Sequence, residues 1–351
     1  MFSTYRPEDV IILLKDISGM VEPLPAKVRE TFIQSGVHYS EMLPLEYEPS
    51  SAYLDAYEKA VALYSRQTAQ AVANVAEKIR TDKTGEIVLV SLARAGTPIG
   101  ILLKHFLEKA YGLAVPHYTI SIIRGKGIDK NAMNTILRKH SPDAIQFVDG
   151  WTGKGAIQNQ LNEDMLAYPG VDPSLAVLSD PAHIAGKAGT FSDFLIASSL
   201  LNSTVSGLLS RTFYRSDIIG PKDYHGVAFY RELADKDHTY HFISNVEKYF
   251  DCASQTPEEE LGDGCGSGIQ EVRKIAAEYS VEDLNLIKPG IGEATRVLLR
   301  RVPWKLLVHS TEDQEYLGHL YQLASEKEVT VEEYPLRNYR ACGIIKKLAD
   351  T

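Results

Sequence analysis

The sequence predicts an α/β fold, a parallel sheet flanked by helices with a small α/β sandwich domain behind it. Three observations predict it. Apolar runs at Ile87–Ser91, Val115–Ile123 and Leu175–Leu178, and another opening at Ile145, alternate with helical patterns, as βαβ units do. Ile87–Ser91 is continuously apolar, as in a strand covered on both faces. The pattern then stops in the acidic, glycine-containing stretch Cys252–Gly268 and restarts from Leu284. The domains are accordingly placed at 1–283 and 284–351.

The elements follow in order. Pro7, Glu8 and Asp9 suit a first helical turn, and Val10, Ile11, Leu14 and Ile17 continue it, which predicts a helix over Tyr5–Ser18. Pro23 and Pro25 interrupt, and a short helix reaches Phe32. Gly36–Pro44 reads as a loop. Ser50–Arg80 repeats apolar residues at helical spacing through Leu54, Tyr57, Val61, Tyr64, Ala71, Val75 and Ile79. Helices are expected at Ile99–Ala110, after Asn131 to about His140, and from Ala156 to Leu166. Gly186–Phe213 is rich in small and hydroxyl residues and reads as a cover over the site. His225–Phe250 and Gln270–Tyr279 read as helical. Downstream, helices at Gly292–Arg301, Asp313–Glu326 and Tyr339–Leu348 alternate with strands at Trp304–His309 and Val329–Tyr334.

Composition narrows the function classes. The 351 residues carry a net charge of −9, with the acidity mostly upstream of Leu284, so bulk charge does not mark a nucleic-acid binder. Three cysteines without close spacing argue against a disulfide scaffold and for a reducing compartment. No apolar run is long enough for a bilayer, and no signal-peptide layout opens the chain, so a cytoplasmic location is expected. His309 and His319 stand too far apart in sequence to make a local metal motif and there is no CxxC, so no resident metal site is expected.

The chemistry concentrates in Ile145–Leu161, IQFVDGWTGKGAIQNQL. A short strand ends at Asp149 and Gly150. Thr152, Gly153, Lys154 and Gly155 form a glycine-rich turn before a helix. Converging backbone N–H groups and the helix dipole favour an anion there. An acid at the strand end suits sugar hydroxyls, so the stretch describes a sugar-phosphate site. A Walker A loop is rejected, because Gly155 rather than Ser or Thr follows Lys154. Two more loops lie beyond strand ends, Leu92–Pro98 and Arg124–Asn131.

The stretch resembles the 5-phosphoribosyl-1-pyrophosphate (PRPP) motif of type I phosphoribosyltransferases, so the expected fold is the type I phosphoribosyltransferase-like parallel sheet. The resemblance implies PRPP held by Arg94, Ala95, Gly96, Asp149, Gly150, Thr152, Gly153, Lys154 and Gly155. It implies Asp149, Arg124 and Lys126 as catalytic residues, with Mg²⁺ carried largely by the substrate phosphates. The phosphoribosyl group would pass to a base or nucleotide-like acceptor, sought around Asp180, Asn202 and Arg211, as pyrophosphate leaves. Gly150 stands where that motif has a second acid, which motivates another reading: an inactive protein that senses PRPP, a nucleotide or RNA.

The whole chain is similar to the phosphoribosyltransferases of bacterial tellurite-resistance gene clusters, a family also labelled StiP-type cysteine proteases. Matching stretches include Val90–Leu103, His117–Asp129, Phe147–Ile157, Leu200–Thr212 and Lys288–Arg301. The resemblance implies a C-terminal Pelota-type RNA-binding domain, and the residues there offer a basic face with an aromatic on it, Arg296, Arg300, Arg301 and Trp304, as the expected RNA contacts. The protease alternative needs a thiolate with a nearby base. Cys342 is its best candidate, while Cys252 and Cys265 fall in the expected linker. The transferase is preferred over the protease on the order of its three loops.

Overall fold

The computed structural model describes residues 2–253 and 266–347. In chain order, strands β1 (Ile11–Ile12) and β2 (Lys15–Asp16) precede helices α1 (Ala26–Gln34) and α2 (Ser51–Asp82). Then follow β3 (Val88–Leu92), α3 (Gly96–Tyr111), β4 (His117–Ile120), β5 (Ile122–Ile123), β6 (Gly127–Ile128) and α4 (Lys130–Leu137). Next come β7 (Ile145–Trp151), α5 (Ala156–Asp164), β8 (Leu175–Ser179), β9 (Lys187–Thr190), β10 (Gly226–Val227), α6 (Thr239–Glu247) and α7 (Ser267–Glu278). The last elements are β11 (Ile287–Pro289), α8 (Ile291–Arg300), β12 (Pro303–Val308), α9 (Gln314–Glu326), β13 (Thr330–Glu333) and β14 (Ala341–Ile345).

The expected parallel sheet is present, six strands in the order β1-β4-β3-β7-β8-β9 with every pair parallel. Its middle strands are buried on both faces, as their continuous apolar runs require. Ile99, Leu102 and Leu103 of α3 pack on one face together with Tyr57 through Ile79 of α2. Ala132, Met133 and Ile136 of α4 and Leu161 of α5 pack on the other. The α2 helix approaches the sheet edge closely: a Cβ on Gly189 of β9 would lie 2.4 Å from the Ala71 carbonyl oxygen.

The small C-terminal sheet runs β11-β14-β12-β13. Strands β12 and β13 are parallel, joined through α9, while β14 is antiparallel to both its neighbours. Val272 and Ile275 of α7 pack with Ile287, Leu307 and Ile344 on one side of this sheet. On the other side, Ile291, Ala294 and Leu298 of α8 and Leu317 and Leu320 of α9 belong to the same apolar cluster as α2 and α3. Tyrosines of α2 join the two lobes: Tyr53 Oη donates to the Leu299 carbonyl at 3.1 Å, and Tyr64 Oη to that of Glu315 at 3.0 Å.

Four expectations are corrected. Tyr5–Ser18 is not a helix: Ile11 and Ile12 extend the main sheet beside Tyr118 and Thr119, and Lys15 and Asp16 pair with β10. The open edge of β4 offers backbone partners that outweigh the helical start signal. Tyr339–Leu348 is not a helix either, because Ala341–Ile345 is the buried strand β14. A short run that is apolar all round carries no period to separate strand from helix. In His225–Phe250, residues Gly226–Val227 form a strand and only Thr239–Glu247 an α-helix. Within Gly186–Phe213, Lys187–Thr190 supplies the unpredicted edge strand β9.

Candidate functional site

The three loops beyond β3, β4 and β7 converge at the carboxyl end of the sheet, and the C-terminal lobe sits over them. Gly155, at φ 79°, makes the left-handed turn that starts α5, and Thr152 N donates to the Ser179 carbonyl at 3.0 Å. Thr152 Oγ1 donates to Asp180, whose other oxygen accepts from the N–H groups of Ile184 and Ala185 at 2.8 Å. Asp180 therefore braces the turn from below and has little left to offer an acceptor.

The turn's upper side is taken by the other lobe. The Lys154 ammonium donates to the carbonyl oxygens of Leu284 and, at 3.0 Å, Ile287. Burial, with Lys288 and Arg124 nearby, pulls its pKa down to about 8. Tyr339 Oη donates to the Gly153 carbonyl at 2.6 Å. The Arg296 guanidinium lies 4.8 Å from the centre of the Trp151 ring and 3.1 Å from Glu293. Asp149 accepts from the N–H of Gly150 at 2.8 Å, and burial pushes its carboxyl up to about 7. A cavity of about 10 Å³ remains between Thr152, Asp193 and Gly290, room for one water at most.

Arg94 is likewise engaged by the protein. Its guanidinium donates to Asn202 Oδ1 at 2.7 Å, to the Leu209 carbonyl at 2.8 Å and to Glu46 at 3.2 Å. Ala95 and Gly96 stand at the start of α3, and a Cβ on Gly96 would lie 2.5 Å from the Val148 carbonyl oxygen. Arg124 donates to Asn285 Oδ1 at 2.8 Å, and Lys126 pairs with Glu41 at 3.4 Å. Arg211 lies over the Tyr39 ring at 4.6 Å, with Arg124 5.8 Å from the same ring. Burial and then Arg29 lower the Arg211 pKa.

The structure thus gathers Arg94 with Asn202, Arg124 with Arg211, and Asp149 with Arg296. It separates the expected RNA contacts. Arg296 faces Trp151, and Arg301 pairs with Glu30 of α1 at 2.8 Å. Trp304 stays 40% exposed, edge-on to Tyr279 at 6.2 Å. The Arg300 side chain lies outside the described residues.

Sequence reasoning placed Tyr39 in a loop and Asp193 in the cover over the site without a role for either, and passed over Glu46. Asp193 is 6% exposed and accepts from Ile291 N at 3.0 Å and Arg340 N at 2.9 Å, which ties the lobes together. Its signal was an acid just past an unrecognised strand.

The two described cysteines differ. Cys342, on β14, is fully buried, and burial pushes its thiol up to about 12. Cys252 is exposed beside a cleft of about 440 Å³ lined by Leu63, Arg66, Gln67, Gln70, Tyr249 and Ala253. Cys265 lies outside the described residues. No described helix is long and apolar enough to cross a membrane.

Comparisons with known proteins address the activity. The family model described as the tellurite-like stress resistance cysteine protease StiP matches residues 3–247, and that of the PELOTA RNA binding domain matches residues 266–347. A protein from Acinetobacter baylyi named cysteine protease StiP is 35% identical, covering 98% of this chain and 94% of its own. Among solved structures, an HGPRT-ase from Leishmania tarentolae in complex with GMP is 16% identical, with a TM-score of 0.26. That likeness covers 38% of this chain and 77% of the other. A hypoxanthine phosphoribosyltransferase from Trypanosoma cruzi with its product IMP is 15% identical, with a TM-score of 0.29, covering 49% and 90%. Likeness at that level has no bearing on activity. The expected phosphoribosyl transfer is therefore corrected: the family match and the relative both carry the protease name, which was the alternative.

Proposed function

Because this chain belongs to the family of tellurite-like stress resistance cysteine proteases typified by StiP, we propose that it is a thiol-dependent peptidase whose nucleophile is Cys252. One observation carries the choice of thiol: of the two described cysteines, Cys252 is the exposed one, and it borders a cleft of peptide-binding size. Its thiolate would attack a peptide carbonyl, the C–N bond would break with the amine leaving protonated, and water would then hydrolyse the thioester to free the acid and the thiol. Arg66, Gln67 and Gln70 on α2 supply polar groups to a bound backbone, and Leu63 and Tyr249 supply apolar contact. The buried Cys342 would have to lose its packing before it met any substrate.

The test is hydrolysis of unfolded casein by the full chain, with and without iodoacetamide. Cys252→Ala is expected to abolish turnover, while Cys265→Ala and Cys342→Ala keep it. Full activity in Cys252→Ala, or none in the unmodified protein, overturns the proposal.

A second reading concerns the C-terminal lobe, which matches the PELOTA RNA binding model. The exposed indole of Trp304, with Lys305 5.8 Å from its ring, favours single-stranded RNA stacking on this face rather than on Arg296 or Arg301. Base stacking contributes about 1–3 kcal/mol, so Trp304→Ala in the full chain is expected to weaken RNA binding about 5- to 150-fold. Unchanged affinity in that variant removes this face from consideration.

A further inference from the structure

The second turn of α2 and the start of α6 bring together three side chains that the readings above do not use. Glu58 projects from α2. His238 caps the start of α6, and His241 follows one turn later. Each offers one ligand atom, and these atoms lie within 4.8 Å of one another. We infer that Glu58, His238 and His241 form a site for a divalent transition-metal ion of the zinc class.

The donor set selects the class of ion. Two imidazole nitrogens with one carboxylate suit zinc and its neighbours, whereas magnesium and calcium prefer oxygen alone. Three protein ligands leave a fourth position for water. A zinc ion with bonds of about 2.0–2.2 Å draws its ligand atoms closer than they stand here. His241 and Glu58 are the side chains free to make that adjustment, since both are exposed and His241 Nε2 stands 3.7 Å from the Glu58 carboxylate.

The surroundings already orient one ligand. Tyr57 is fully buried, and its Oη lies 3.2 Å from His241 Nδ1. With Nδ1–H donating to that oxygen, the Nε2 lone pair points toward Glu58, the arrangement that outer partners impose on metal-binding histidines. The Tyr57 ring also lies 5.3 Å from the His238 ring and 5.8 Å from the His241 ring, which holds both imidazoles on one side of α2. The two imidazoles stand 5.7 Å apart at 76°. Lys236 is held by Glu48 at 3.0 Å. A bound ion would clamp α6 to α2.

The experiment uses the untagged full chain, stripped with a chelator and titrated with Co²⁺ in the spectrophotometer and with Zn²⁺ in the calorimeter. One equivalent of Co²⁺ is expected to give visible d–d bands, and Zn²⁺ is expected to raise the melting temperature. His238→Ala and His241→Ala should each lose binding by ~10-fold or more, and Tyr57→Phe, which removes only the outer partner, should weaken it ~10- to 100-fold. No saturable binding at micromolar metal overturns the inference. So does undiminished binding in the His238→Ala/His241→Ala double variant, which would move the ion elsewhere.

Discussion

Replacing Asp193 with alanine is the sharpest test of how the two lobes are joined. The carboxylate accepts N–H groups from Ile291 and Arg340, both from the C-terminal lobe, and it is nearly inaccessible to water. Alanine orphans both donors, at about 1–3 kcal/mol each, so a loss of about 2–6 kcal/mol is expected. The loss depends on pH. Burial raises the carboxyl to about 6, against an ordinary value of 3.8, and the Ile291 and Arg340 N–H groups only partly oppose this. A raised acid contributes stability that is fully present below its unfolded value and is lost as pH rises through its folded value. At about 1.4 kcal/mol per pH unit the whole effect is about 3 kcal/mol, of which about half remains to be lost above about pH 5. The wild type therefore weakens between about pH 5 and about pH 8, and the alanine variant does not share that slope. Urea unfolding at several pH values should show the difference between the two proteins shrinking by about 1.5 kcal/mol over that range. A difference that is flat, that grows with pH, or that never exceeds about 0.5 kcal/mol would refute the reasoning.

Three further outcomes are expected. Iodoacetamide added to the native protein should label Cys252 rapidly and Cys342 only on unfolding, read by peptide mass mapping, because only the former thiol is exposed. Gly189→Ala should lower stability by about 1–3 kcal/mol in thermal unfolding, since its Cβ meets backbone of α2 rather than a side chain that can turn away. His319, half-buried and hydrogen-bonded to Thr295 at 3.0 Å, is held by desolvation at about 4 against an ordinary 6.5. A depressed base stabilises the fold above its unfolded value and loses that contribution as pH falls toward the folded one, so His319→Gln should flatten the stability profile between about pH 6.5 and about pH 4.

The central strands were legible because burial on both faces writes short apolar runs, as in Val88–Val90 and Leu175–Leu178. The long helix α2 was legible from its stripe, and its observed span of Ser51–Asp82 lies within two residues of the expected one. What failed was set by partners distant in sequence. Ile11 and Ile12 are a strand because β4 lies beside them, and Ala341–Ile345 is a strand because β11 and β12 flank it. The glycine turn was correctly located, yet nothing in its spacing disclosed that Leu284, Ile287 and Tyr339 would cover it. The Cys252 cleft was invisible for a similar reason: its walls come from α2, nearly two hundred residues upstream in the chain.

The shared apolar cluster has a consequence for how the molecule is made. Tyr64 waits for Glu315, 251 residues later, and Asp193 for Ile291, 98 residues later. At about 5–20 residues per second, a ribosome leaves the Tyr64 face of α2 uncovered for about 12–50 s. During that interval the nascent chain shows the solvent a greasy flank that the finished molecule hides. Holding factors that bind such flanks would find their target on the unfinished chain, and a stop codon before β14 would leave the flank open permanently.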